Sequence, residues 1–149
     1  MKKKAFSAIV LIAALATACN SDKKSIEKVA YGYLNATGNY LIEEAKPYAN
    51  TETREKTLPF LSNTLIPLTP KEYIQSNTPA TIVINNIDIA GDTAMVAYTK
   101  TTPIKVLEGE IHVVREKGEW LVYVPLVLPQ NLLSGGDTVI STLTPIEKK

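Results

Sequence analysis

One cysteine, Cys19, and one histidine, His112, limit the covalent and metal chemistry open to this chain of 149 residues. A zinc or copper site draws several ligands from His, Cys and carboxylates. With Cys19 near the start and His112 alone in a β-prone stretch, no such set assembles, and no metal ligand is assigned. A serine or threonine nucleophile would have to borrow His112, yet no Gly-x-Ser-x-Gly turn is present to lift a nucleophile above a sheet. Gly135-Gly136 lacks the lysine and the following helix of a phosphate-cradling loop.

The remaining candidates are aromatic. Tyr33, Tyr40, Tyr98 and Trp120 either pack as core or line a pocket for an apolar ligand. The nearest strand carboxylate to serve them as a general base is Asp88, but alternation turns it away from the face that Ile87 and Ile89 share. No catalytic residue and no cofactor is assigned, and the expectation is a protein that is not an enzyme.

Cys19 matters more for address than for catalysis. Lys2, Lys3 and Lys4 precede an apolar run from Ala5 to Leu15, with small residues at Ala16 and Ala18. This is the pattern of a secretory signal, too short for a permanent span. The ending resembles a bacterial lipobox, in which the bond between Ala18 and Cys19 is cut and the cysteine becomes the acylated first residue. Ala16-Thr17-Ala18 also fits ordinary signal peptidase, which would cut the same bond. Cys19 is then expected to tether the chain to membrane lipid, because a lone exposed thiol would be an oxidation liability. Asn20 is not the aspartate that retains lipoproteins at the inner membrane, so the resemblance implies the outer membrane. Lys23 and Lys24, in place of an acidic run, favour its periplasmic face.

Losing residues 1–18 removes three of the 16 basic side chains and leaves 13 against 15 acidic ones, near −2. No basic cluster survives to neutralise phosphates, which excludes nucleic acid as a partner. The remaining length suits one domain, divided as a signal peptide at 1–18, a lipidated N-terminus and linker at 19–24, an α+β domain at 25–128 and an extension at 129–149. That extension, with Gly135-Gly136 and a β-prone stretch after it, offers an extra strand.

Ile26, Val29, Ala30, Tyr33, Leu34 and Thr37 recur at helical spacing. They predict a helix over Ser25–Thr37, with Ser25 as its cap and Gly38 closing it in a left-handed conformation. Asn39 is expected to cap a short helix through Ala45 that Pro47 ends. Thr51 or Thr53 would cap a third helical piece to Leu61, interrupted at Pro59, and one more turn follows at Pro70–Gln75.

After Pro79 the period changes to two, and four strands follow in TIVINNIDI, TAMVAYT, EIHVVRE and EWLVYVPLVL. Gly91-Asp92 and Lys117-Gly118 suit two-residue hairpins. Counting outward pairs Ile89 with Ala94, Ile87 with Val96, Val113 with Val122 and Ile111 with Val124. The predicted core face holds Ile87, Ile89, Ala94, Val96, Tyr98, Ile111, Val113, Trp120, Val122 and Val124. Apolar parity switches to Ile82 and Ile84 earlier in the first strand, predicting a bulge near Asn85-Asn86. Gly109 is read as relief from crowding. On the other face Met95, Ala97, His112, Val114, Leu121 and Tyr123 are less polar than a free surface. Met95, His112, Val114, Leu121 and Tyr123 are therefore the candidate interface, for a homodimer, an envelope protein or the C-terminal segment.

Helices followed by a curved antiparallel sheet make an α+β layout. YLNATGNYLIEEAKPYAN resembles the motif of small bacterial lipoproteins with a nuclear-transport-factor-2-like (cystatin-like) fold, where a helix ends in Gly-Asp/Asn-aromatic before a short helix containing alanine. GDTAMV and KGEWLVYV resemble the Gly-Asp-x-Ala-x-Val hairpin and closing strand of that family, a domain of unknown function. The resemblance implies a cone-shaped sheet around the first helix and an envelope address. Asp92-Thr93-Ala94 and Asp137-Thr138-Val139 look like a bacterial O-glycan acceptor triplet, with Thr138 the better candidate. The expected function is a non-enzymatic binding or interaction module on the membrane. The alternative is a carrier of an apolar ligand inside the cone, with an acid–base enzyme third.

Overall fold

The computed structural model describes residues 5–127, with side chains from Asn20 onward. A long helix, α1 (Ala5–Gly38), lies on one face of an antiparallel sheet. The sheet is a meander of β1 (Thr81–Ala90), β2 (Thr93–Thr101), β3 (Val106–Glu116) and β4 (Glu119–Tyr123) in that order. Between helix and sheet come α2 (Ile42–Ala45), a helical run at 51–68 and a short helix at Lys71–Ser76. The α+β expectation holds. The extension at 129–149 and the glycan candidate Thr138 lie outside the described residues, and the cleavage and lipidation positions Ala18 and Cys19 precede the first described side chain.

The helix boundaries depart from expectation at both ends. Ser25 does not cap α1: it sits inside the helix, and its hydroxyl donates to the Ser21 carbonyl at 3.1 Å. The segment 20–24, expected as a linker, is helical, and Asp22 within it is tied to the sheet. Gly38 does not turn left-handed either. Tyr40 does, at φ 61°, with the Leu41 N–H on the Ala36 carbonyl and the Tyr40 N–H on the Thr37 carbonyl. Those two bonds satisfy carbonyls that the helix end would orphan. Asn39 caps nothing. Its amide donates to the Ala80 carbonyl at 3.1 Å and its oxygen accepts the Ala80 N–H at 2.8 Å, fixing the end of α1 to the chain just before β1.

Asn50, rather than Thr51 or Thr53, caps the next helical run, accepting the Thr53 N–H at 3.0 Å. That run passes through two wide π-helical turns, Thr53–Thr57 and Leu61–Leu65, each followed two residues later by a proline, Pro59 and Pro67. A proline inside a helix removes an N–H and crowds the preceding turn; the widened turns accommodate it without ending the helix. The run covers the outer edge of β4. Ala49 bridges Val122, the Asn50 N–H reaches the Val122 carbonyl at 2.9 Å, and Thr53 accepts the Val124 N–H at 2.8 Å. The Val124 groups are thereby taken up, which is why the β3–β4 ladder stops at His112–Tyr123 and the expected pairing of Ile111 with Val124 does not form.

The other pairings occur as counted, and the bulge falls between Ile84 and Asn86. Gly91 and Gly118 supply positive φ in the two hairpin turns. Tyr98 lies across Gly109, where an added Cβ would come within 2.8 Å of its ring, so the glycine makes room for that tyrosine. Inward residues Val96, Val113 and Val122 pack with Ile26, Ala30 and Leu58 in a core from which solvent is excluded. Truncating such a residue typically costs about 2–5 kcal/mol for Leu to Ala. Ile89 departs from the predicted core and is 40 % exposed. It has the right parity but sits at the tip of β1, whereas Asp22 in the middle of α1 reaches Arg115 and Trp120 at the other side of the sheet. The helix crosses diagonally and leaves that corner bare.

Candidate functional site

Two surfaces and one cluster carry the polar and aromatic groups of interest. The first surface is the sheet face opposite α1. Register sets Met95, His112 and Tyr123 side by side on β2, β3 and β4, with Val114 beside Leu121 one pleat away. Neighbouring strands lie about 4.8 Å apart, so all five candidate interface residues form one patch. His112 is exposed and the other four are half-buried. Asp88, paired with Met95, flanks the patch, pointing away from the core as expected, and accepts a hydrogen bond from Asn86 at 2.9 Å.

The four candidate pocket residues do not converge on one cavity. Tyr33 is buried, and burial together with the Tyr98 hydroxyl beside it pushes its pKa up to about 12. Burial also raises Tyr98. Trp120 belongs elsewhere. Its indole N–H donates to Asp22 Oδ1 at 3.0 Å, and Asp22 precedes Tyr33 by eleven residues, about 16 Å along the helix axis. Tyr40, beyond the helix end, is raised by burial and by neighbouring Tyr73.

The cluster around Trp120 was not anticipated. Arg115 Nη2 donates to Asp22 Oδ2 at 2.8 Å and its guanidinium stacks on the Trp120 ring at 4.6 Å from the centroid. Arg115 Nε faces Asp92 Oδ1 at 3.3 Å without hydrogen-bond geometry. Nearby, Glu116 accepts the Thr51 hydroxyl and N–H, which hold its carboxyl below the usual range. These contacts fasten the middle of α1 and the run at 51–68 to the β3–β4 hairpin.

The second surface holds, besides the pocket candidate Tyr40, groups not singled out in the sequence. A groove of about 240 Å³ runs along the solvent side of α1, lined by Lys28, Tyr31, Asn35, Glu44 and Tyr48. Tyr48 lies over Gly32, where a Cβ would meet its ring at 2.5 Å. At the C-terminal end of α1, Lys100, Lys105, Tyr40 and Tyr73 gather. Among the described residues no three His, Cys, Asp or Glu side chains converge as a metal site requires, and no helix is long and apolar enough to cross a membrane.

No protein-family model matches the chain, and no curated protein does. Solved structures do. An NTF2-like protein of unknown function from Shewanella baltica OS155 superposes with a TM-score of 0.50 at 14% identity, over 68% of this chain and 88% of that one. Another from Shewanella oneidensis MR-1 gives 0.45 at 13% identity, over 68% and 93%. A third, from Cytophaga hutchinsonii ATCC 33406, gives 0.39 at 13% identity, over 66% and 88%.

Proposed function

We propose that this domain, whose NTF2-like fold the Shewanella baltica structure identifies, is a non-enzymatic interaction module tethered to the bacterial outer membrane through acylated Cys19, facing the periplasm. The observation that carries the reading is the contiguous patch of Met95, His112, Val114, Leu121 and Tyr123 on the sheet face opposite α1. Half-buried apolar side chains with a polar margin make the centre of an interface, and a second copy of the chain is its first expected occupant. An envelope protein is the other.

The helical start of the domain bears on the tether. Only Cys19, Asn20 and Ser21 precede Asp22, which is docked on Arg115 and Trp120. An acyl chain on Cys19 would therefore hold the end of the domain bearing the turns at Gly91 and Gly118 against the lipid, leaving the sheet face standing free for a partner. Acylation normally supplies more than one chain, as stable anchoring requires. The alternative of an apolar ligand enclosed by all four aromatic candidates draws no support from their separation into three places.

Native mass spectrometry of the chain extracted from its own membrane reads acylation and association together. Val114→Lys and Leu121→Lys are expected to abolish dimer or heteromer masses while leaving the urea midpoint of the domain nearly unchanged. An unchanged oligomeric state with unchanged partner recovery would overturn the proposal.

A further inference from the structure

The sheet interior ends in an unusual way. β2 carries Val96, Tyr98 and Lys100 on its inner face, so the chain places an ammonium group where the alternation asks for another core residue. Ile82, opposite Lys100 on β1, is 5 % exposed, and Leu107 pairs with Lys100 on β3. Lys100 Nζ lies beside Gly38 at the end of α1, 3.6 Å from where a Cβ would stand. A second lysine joins it. The turn linking β2 to β3 is locked by the Thr102 N–H on the Lys105 carbonyl at 2.8 Å and by the Lys105 N–H on the Thr102 hydroxyl at 3.2 Å. That turn aims Lys105 Nζ at the Tyr73 hydroxyl, 3.0 Å away.

Among the described residues neither lysine has a carboxylate within ion-pair distance, although the chain carries 15 acidic side chains. The two charges act on each other: Lys105 and burial both push the Lys100 ammonium below its ordinary pKa. Among the described residues Lys105 rests only on the Tyr73 hydroxyl and ring, 5.2 Å from the centroid, so the inner sheet face ends in two cations with no anion to balance them.

We infer that this end of the inner sheet face binds a small monocarboxylate, its anion held between Lys100 and Lys105 and its apolar or aromatic body resting on Tyr73, Tyr98 and Leu107. The alternative, a lysine that merely lays its stem over Ile82 and Leu107 with its head in water, accounts for Lys100 alone. It does not explain the second cation, which the locked turn sets on the same face. The site is separate from the opposite sheet face and stands or falls independently of the interface proposed there.

The test uses the detergent-solubilised full-length chain, carrying 13C on its tyrosine rings and titrated in turn with benzoate, uncharged benzamide and inorganic phosphate. Benzoate is expected to shift Tyr73 and Tyr98 saturably and at least tenfold more tightly than benzamide. Lys100→Gln and Lys105→Gln should each weaken benzoate about tenfold, while Lys100→Arg, which keeps the charge, restores most of it. Equal binding of benzamide and benzoate would overturn the role of the lysines. Phosphate binding as tightly as benzoate would overturn the carboxylate assignment, and no saturable shift with any probe would remove the site. Unchanged resonances of the tyrosines away from the two lysines, Tyr48 and Tyr123, in the absence of probe show that the Gln variants fold.

Discussion

Replacing Asp22 by alanine tests whether the start of α1 is part of the folded domain or an appendage to it. Trp120 is 5 % exposed, so its indole N–H, stripped of the Asp22 acceptor, stays desolvated at a cost of about 1–3 kcal/mol. The Arg115 pair is about a third exposed on each side, and screening limits it to about 1 kcal/mol or less. Asp22→Ala is therefore expected to destabilise the domain by about 2–3 kcal/mol. Asp22→Asn keeps an oxygen for the indole and should cost about 1 kcal/mol or less. Asp92→Ala removes a carboxylate whose side chain is 81 % exposed and should fall within ~0.5 kcal/mol of wild type.

Trp120 is the only tryptophan, so its fluorescence during urea unfolding of the chain from Asn20 onward reports on this cluster and on the fold together. The midpoint should move at constant m-value, and the emission of folded Asp22→Ala should shift to the red. An alanine variant within 0.5 kcal/mol of wild type, or an asparagine variant as damaged as the alanine one, would refute the reasoning.

Three further outcomes follow. Gly109→Ala should destabilise by about 1–3 kcal/mol, because its Cβ would stand 2.8 Å from the Tyr98 ring and force that ring to move; thermal unfolding checks it. Tyr33 keeps its proton in the fold up to about 12, whereas in the unfolded chain it titrates near 10. The stability it contributes is complete below pH 10 and is lost between pH 10 and about 12, by about 1.4 kcal/mol at pH 11. Tyr33→Phe should lose that much less than wild type between pH 9 and 11 in urea melts. Lys100 has the opposite sign: its folded pKa is lowered, so its charge weighs against the fold at neutral pH, and stability is recovered as pH rises from the lowered pKa toward the unfolded one. Lys100→Met should raise the thermal midpoint at pH 7, with the gain shrinking as pH rises toward the unfolded lysine pKa, while weakening benzoate binding about as much as Lys100→Gln does.

The strands, their turns and the bulge were legible because each rests on a local rule. Gly91 and Gly118 stand where positive φ is needed, and the parity switch between Ile84 and Ile87 can be absorbed only by an extra residue. The patch of five interface candidates followed from the same counting. What escaped was side-chain chemistry between distant segments. Asp22, followed by two lysines, has the composition of a linker, and its partners stand 93 and 98 positions away. Asn39 reads as a helix cap and Asn50 is passed over for Thr51 or Thr53, because only packing decides which side chain faces the helix start and which reaches a neighbouring segment.

Alternation names the face on which a residue lies, but the path of α1 decides which inward residues become core. Asp22 holds the middle of that helix over the β3–β4 hairpin, and Asn39 fastens its C-terminal end beside Ala80 at the start of β1. The diagonal between those points buries Val96, Val113 and Val122 and gives Trp120 a structural partner in place of a cavity. It leaves the inward-facing Ile89 at the tip of β1 partly in solvent, and it ends beside Lys100, a cation kept at the end of an apolar face. The first is a consequence of the crossing angle. The second is a residue type that packing would not select, and the sequence carried that signal in the succession Val96, Tyr98, Lys100.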